Sequence, residues 1–61
     1  MRRFTIRHSY TLEERVINAL SVDSDTHKYQ WNFSIYDDEK QIIMYSSYNQ
    51  KNWDIISNEK A

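Results

Sequence analysis

The sequence predicts a small α+β domain, in which one helix packs on an antiparallel meander sheet in the order β-α-β-β-β. Three observations support this class. Apolar and polar residues alternate near the N-terminus and through much of the second half, as in strands with one buried face. Between these regions, apolar residues recur at helical spacing. The chain has 61 residues, which predicts a single domain over residues 1–61.

The first predicted elements are a strand over residues 3–10 and a helix over about 12–21. The strand alternates, with Phe4 and Ile6 on the face that would be buried. Thr11 and Glu14 have the spacing of a capping box, which marks a helix N-terminus. The apolar residues at helical spacing after this cap are Leu12, Val16, Ala19 and Leu20.

An all-β alternative remains open for this region. A hairpin closed at Asp23–Thr26 would make residues 12–21 a strand and would place Val16 opposite Phe33. The chain would then form a five-stranded meander that could curl into a small barrel.

The second half predicts a β-hairpin with its turn at Asp37–Lys40. A register that places Ile35 opposite Ile42, and Phe33 opposite Met44, puts these large apolar side chains on one face. In this register Ile43 and Tyr45 point to the other face, which indicates that another element or a partner covers them.

The last predicted strand covers residues 53–58 and pairs with the preceding strand of the meander. A short C-terminal helix capped by Asn49 is the alternative. The predicted core consists of Phe4, Ile6, Leu12, Val16, Leu20, Tyr29, Trp31, Phe33, Ile35, Ile42, Met44 and Trp53.

The composition argues against an enzyme and predicts no cofactor and no metal. The chain contains no Gly and no Cys, which excludes a Gly-rich phosphate loop, a thiol nucleophile and a Cys-type zinc site. His8 and His27 lack the paired spacing of metal ligands. The longest uninterrupted apolar run, Ile42–Tyr45, is too short for a membrane span or a secretory signal, which predicts a cytoplasmic protein.

The first functional hypothesis is a protein-binding module, an inhibitor or regulator of a larger host or cellular protein. The expected contacts combine an acidic hairpin tip with outward tyrosines: Tyr36, Asp37, Asp38, Glu39 and Tyr45. Frequent Asn, Ile, Lys and Tyr in so short a chain are typical of an accessory gene of a phage or mobile element.

Two further hypotheses remain. Residues 1–10 carry three arginines and no acid, so Arg3, Arg7 and Arg15 with outward tyrosines predict a regulator that binds single-stranded nucleic acid. The third hypothesis is a homo-oligomer, such as a homodimer, that completes its sheet by edge pairing. The sequence identifies neither the partner nor the oligomeric state.

Overall fold

The computed structural model describes the whole chain, Met1–Ala61, and its fold is all-β. The six strands are β1 Arg2–His8, β2 Glu14–Ala19, β3 Ser21–Asp25, β4 Gln30–Tyr36, β5 Ile42–Asn49 and β6 Trp53–Lys60. They form two three-stranded antiparallel sheets, in the orders β2-β1-β6 and β3-β4-β5. The predicted α+β class is therefore wrong. No helix of the structure could cross a membrane.

The predicted helix is a strand, β2, because its capping residues form a turn. The Thr11 hydroxyl oxygen accepts a hydrogen bond from the Glu13 N–H at 3.3 Å. Leu12 has a φ of 62°, which lies in the left-handed region and is incompatible with a right-handed helix. β2 buries Ile17 and Ala19, an alternation with period two that the helical spacing of neighbouring apolar residues concealed.

β2 and β3 form a nearly continuous segment that passes from one sheet to the other at Leu20. The Leu20 N–H donates a hydrogen bond to the Ser34 carbonyl oxygen at 2.8 Å, which attaches this corner to β4. β3 then pairs with β4 in a register that places Val22 opposite Phe33. The five-stranded alternative therefore had the right class but placed Val16 opposite Phe33 and lacked this corner.

The β4–β5 hairpin forms with a longer loop than predicted. The Asp37 carboxylate oxygen Oδ1 accepts hydrogen bonds from the N–H groups of Glu39 and Gln41 at 2.9 and 2.8 Å. These bonds hold Asp37–Gln41 as the loop, so that Tyr36 pairs with Ile42. The predicted register, which paired Ile35 with Ile42, is wrong by one residue here.

A β-bulge shifts the register again further along the hairpin. Phe33 pairs with Ser46 and Ser34 pairs with Met44, which leaves Tyr45 as the extra residue of β5. Met44 does not oppose Phe33, because the longer loop has already shifted the register by one residue before the bulge, and Met44 is exposed together with Ile42. The bulge could not be predicted because no glycine or other turn residue marks it in the sequence.

The final strand is confirmed, but its predicted partner is wrong. β6 pairs with β1 and not with β5, in a register that includes Arg3 opposite Glu59 and Ile6 opposite Ile55. This pairing brings the basic N-terminal segment against the acidic C-terminal one, and it buries Ile55 beside the core. Ile56 is the extra residue of a bulge in this strand.

The core lies where the two sheets meet. The Phe4 and Phe33 rings form an edge-to-face pair at 5.3 Å, and the Trp31 Nε1–H donates a hydrogen bond to the Trp53 carbonyl oxygen at 3.0 Å. The buried apolar residues are Phe4, Ile6, Ile17, Ala19 and Phe33. Of the predicted core, Leu20, Trp31, Ile35 and Trp53 are partly buried, whereas Leu12, Val16, Tyr29, Ile42 and Met44 are exposed.

Candidate protein-binding surface

The largest apolar residues of β5 lie uncovered on an edge strand. Ile42, Ile43, Met44 and Tyr45 have exposed fractions of 64, 42, 64 and 59%. β5 has only β4 as a strand neighbour. We call this segment, Ile42–Tyr45, the β5 edge. An exposed apolar edge of this kind is a template for pairing with another chain.

The backbone of the β5 edge has hydrogen-bonding groups without a strand partner. The Asp37 N–H donates to the Gln41 carbonyl oxygen at 2.9 Å, which marks a hydrogen-bonded pair. Because such pairs alternate along an antiparallel ladder, Ile43 directs its N–H and C=O toward β4. Ile42 and Met44 therefore direct theirs toward the open side.

The acidic loop beside the β5 edge contains two free carboxylates and one that holds the loop. Asp37 is partly buried and bonds to backbone N–H groups of its own loop. Asp38 and Glu39 are exposed and form no ion pair, because the three salt bridges of the chain lie elsewhere. Of the predicted acidic tip, Asp38 and Glu39 are therefore available to a partner, whereas Asp37 holds the loop.

The two predicted tyrosines lie at opposite ends of the β5 edge. Tyr36, half exposed, pairs with Ile42 at its beginning. Tyr45 occupies the bulge at its end and lines an open groove of about 400 Å³. The groove is bounded by β2 and β5 through Val16, Ile17, Asn18, Tyr45, Ser46 and Tyr48. The buried Ser46 hydroxyl oxygen has no hydrogen-bond partner there.

The arginines of the nucleic-acid hypothesis do not form one surface. Arg15 pairs with Ile6 and therefore lies on the core side of the first sheet, with its guanidinium 5.0 Å from the centre of the Trp53 ring. Arg3 and Arg7 occupy the alternate positions of β1 and lie on the opposite side.

Each of these arginines also has a carboxylate partner. The nitrogen–oxygen distances are 2.9 Å for Arg3–Glu59, 3.0 Å for Arg7–Glu14 and 3.2 Å for Arg15–Glu13. The hydrogen bond and the charge of Arg3 lower the pKa of Glu59. These ion pairs offset the positive charge that phosphate binding requires.

The two histidines lie at the end of β1 and in a turn. His8 Nδ1 accepts hydrogen bonds from the N–H groups of Tyr10 and Thr11, both at 3.2 Å, and its ring contacts Trp53 edge to face. His27 is exposed in the β3–β4 turn. No group of three or more His, Asp or Glu residues is arranged to hold a metal ion.

Sequence reasoning missed three residues of this surface. It assigned Ile42 and Met44 to the core and did not include Ile43 among the binding residues. The available signal was the unbroken apolar run itself, because a strand with one buried face should alternate.

Comparisons with known proteins found no matching family model, curated protein or solved structure.

Proposed function

We propose that this chain is a non-enzymatic protein-binding module that inhibits or regulates a larger protein. The β5 edge and the two free carboxylates of the acidic loop, Asp38 and Glu39, form the contact surface. Tyr36 lies beside the start of this edge and Tyr45 forms its end. Both supply large side chains with few rotatable bonds, a property common at interfaces.

The observation that carries this proposal is the exposure of four consecutive large apolar residues, Ile42–Tyr45, on an edge strand. Exposed apolar residues that occur singly need no explanation, but a contiguous patch on a strand edge favours an interaction site. The surface is open, and the groove beside Tyr45 is not enclosed. This suits a protein partner better than a small substrate that must be enclosed.

The negative charges beside the β5 edge favour a partner with a basic surface. Asp38 and Glu39 have no internal counter-ion, so a basic group on the partner would gain their attraction without breaking an existing ion pair. We therefore expect the partner to present apolar residues beside Lys or Arg.

Capture experiments with matched variants test this proposal. Tagged wild-type protein is used to capture proteins from a cell lysate, and the captured proteins are identified by mass spectrometry. We expect a larger protein that is retained by wild type and lost with Ile42→Ser/Met44→Ser, because that variant removes two apolar contacts while leaving the buried core unchanged.

The control removes two large side chains that are at least as exposed, from another part of the surface. Tyr10 and Leu12 are 81 and 64% exposed in the β1–β2 turn, and Asn tolerates the positive φ of Leu12. The variant Tyr10→Ser/Leu12→Asn should retain capture. Equal capture by wild type and the β5 variant would contradict the proposal.

A second variant tests the role of the acidic loop. Asp38→Asn/Glu39→Gln removes both free charges and preserves Asp37, whose carboxylate holds the loop. With the purified partner, we expect weaker association that becomes insensitive to added salt, since the attraction is screened by ions. An unchanged affinity and salt dependence would exclude the loop from the interface.

A further inference from the structure

We propose that the β5 edge also pairs antiparallel with the β5 edge of a second copy, which forms a homodimer with two-fold symmetry. This inference goes beyond the proposed function and does not depend on it. The pairing strand is β5 of a second copy. In one antiparallel arrangement, the backbone groups, the side chains and the charges of the two copies all match.

One centred register uses the outward backbone groups of both Ile42 and Met44. Ile42 and Met44 direct their N–H and C=O groups toward the open side, because the Asp37–Gln41 pair sets the alternation along the hairpin. Pairing Ile42 of one copy with Met44 of the other satisfies these groups in both copies. The two-fold axis then passes between the two Ile43 residues.

The side chains match in the same register. Ile42 of each copy lies opposite Met44 of the other, and Ile43 lies opposite its own equivalent. Every cross-strand pair over this segment is therefore apolar, and such pairs stabilise antiparallel sheets. All three residues keep at least two fifths of their surface exposed in the single chain, with Ile43 the least exposed at 42%.

The charges are compatible with this pairing. The acidic loop precedes β5, so antiparallel pairing places the two loops at opposite ends of the shared ladder, whereas parallel pairing would bring them together. β5 itself contains no charged residue. Self-association through this strand therefore does not bury a charge or oppose two like charges.

The bulge at Tyr45 limits how strong the dimer can be. It ends the regular ladder after Met44, so the shared ladder is short. An interface confined to the β5 edge is smaller than the roughly 1,200–2,000 Å² of stable complexes. We expect a dissociation constant weaker than about 1 µM.

Single-cysteine variants of the full chain test both the contact and its register. The chain contains no cysteine, so any disulfide formed must join two copies. The two Ile43 positions form a non-hydrogen-bonded pair with Cα atoms about 4.5 Å apart, within the range of about 4.4–6.8 Å that a disulfide spans. We therefore expect Ile43→Cys to form a covalent dimer rapidly under mild oxidation.

Two further variants provide the controls. Ile56→Cys places a thiol on β6 with nearly the same exposure, 43% against 42% for Ile43, and should cross-link slowly. Ile42→Cys should also cross-link slowly, because the two Ile42 positions are offset by two residues, or about 6.6 Å along the strand in addition to the strand spacing. Equal rates for all three variants would overturn the proposal.

Sedimentation equilibrium of the cysteine-free wild type supplies the independent measurement. We expect a monomer–dimer equilibrium in which Ile43→Asp weakens association at least tenfold, with an unchanged circular dichroism spectrum. A wild-type chain that stays monomeric at high concentration would contradict the dimer. If partner capture still depended on the β5 edge in that case, the proposed function would stand without the dimer.

Discussion

Two of the four outer strands, β5 and β6, have the same role in their sheets but opposite surfaces. Each is eight residues long, is paired on one side only, and contains one bulge, at Tyr45 in β5 and at Ile56 in β6. β6 contains three charged residues, Asp54, Glu59 and Lys60, whereas β5 contains none. β6 thus has the charges that protect edge strands from pairing, and β5 lacks them.

The difference shows that exposure of the β5 edge does not follow from the small size of the domain. The same chain protects β6 with charges and with the Arg3–Glu59 ion pair. Bulges and strand length are alike in both strands, so the distinguishing feature is the side chains. This contrast is the physical reason to locate binding at β5.

The largest expected effect is on stability, and it tests whether the sheets that contain β5 and β6 share one core. Phe33 is fully buried and its ring contacts Phe4 at 5.3 Å, across the junction of the sheets. Phe33→Ala should lower the free energy of unfolding by about 3–5 kcal/mol. Urea unfolding followed by tryptophan fluorescence measures this, with Tyr10→Ala as an exposed aromatic control. A loss below about 1 kcal/mol would show that the sheets do not share a core.

An intermediate effect is expected when β6 is given the surface of β5. Glu59→Ile/Lys60→Ile removes two protective charges and creates a second apolar edge on the same chain. A chain with two such edges can add copies without closing, so assemblies larger than those of wild type should form. Light scattering at increasing concentration measures the mass. A variant with the same mass as wild type would show that charge does not protect β6.

The smallest expected effect is on how the stability of the chain depends on pH through the Arg3–Glu59 ion pair of β6. Arg3, through its hydrogen bond and charge, lowers the pKa of Glu59 from its ordinary value of 4.5. The pair therefore contributes stability above that value, and the contribution is lost as the pH falls through the lowered pKa. Glu59→Gln should reduce the loss of stability on acidification below pH 4.5. Because the pair is exposed, the change is small, and a steeper loss in the variant would contradict this assignment.

The sequence predicted local features of the candidate binding surface better than it predicted the fold. Tyr36 and Tyr45 are exposed as expected, and an acidic loop does connect β4 to β5. The role of Asp37 was not predictable, because only the folded loop shows that its carboxylate accepts backbone hydrogen bonds. The structure also placed Ile42 and Met44 on the surface, where alternation had placed them in the core.

The register errors have a common physical cause. Because side chains alternate with a period of two, one extra residue in a loop or bulge moves all the following side chains to the other face. The loop Asp37–Gln41 and the bulge at Tyr45 each introduce such a shift. The loop depends on hydrogen bonds from backbone N–H groups to the Asp37 carboxylate, and the bulge depends on backbone pairing between β4 and β5. The order of apolar residues encodes neither.

The sequence by itself determined that the chain has one small core built on Phe4, Ile6 and Phe33, strands at both ends, and no material for a Cys-type metal site or a Gly-rich loop. The tertiary structure decided that β2 is a strand, that β6 pairs with β1, and that the β5 edge is left uncovered. Burial of a few large residues follows from their hydrophobicity wherever they lie in the chain. Strand partners depend on which distant edges can satisfy each other's hydrogen bonds and charges, and only the assembled fold determines that.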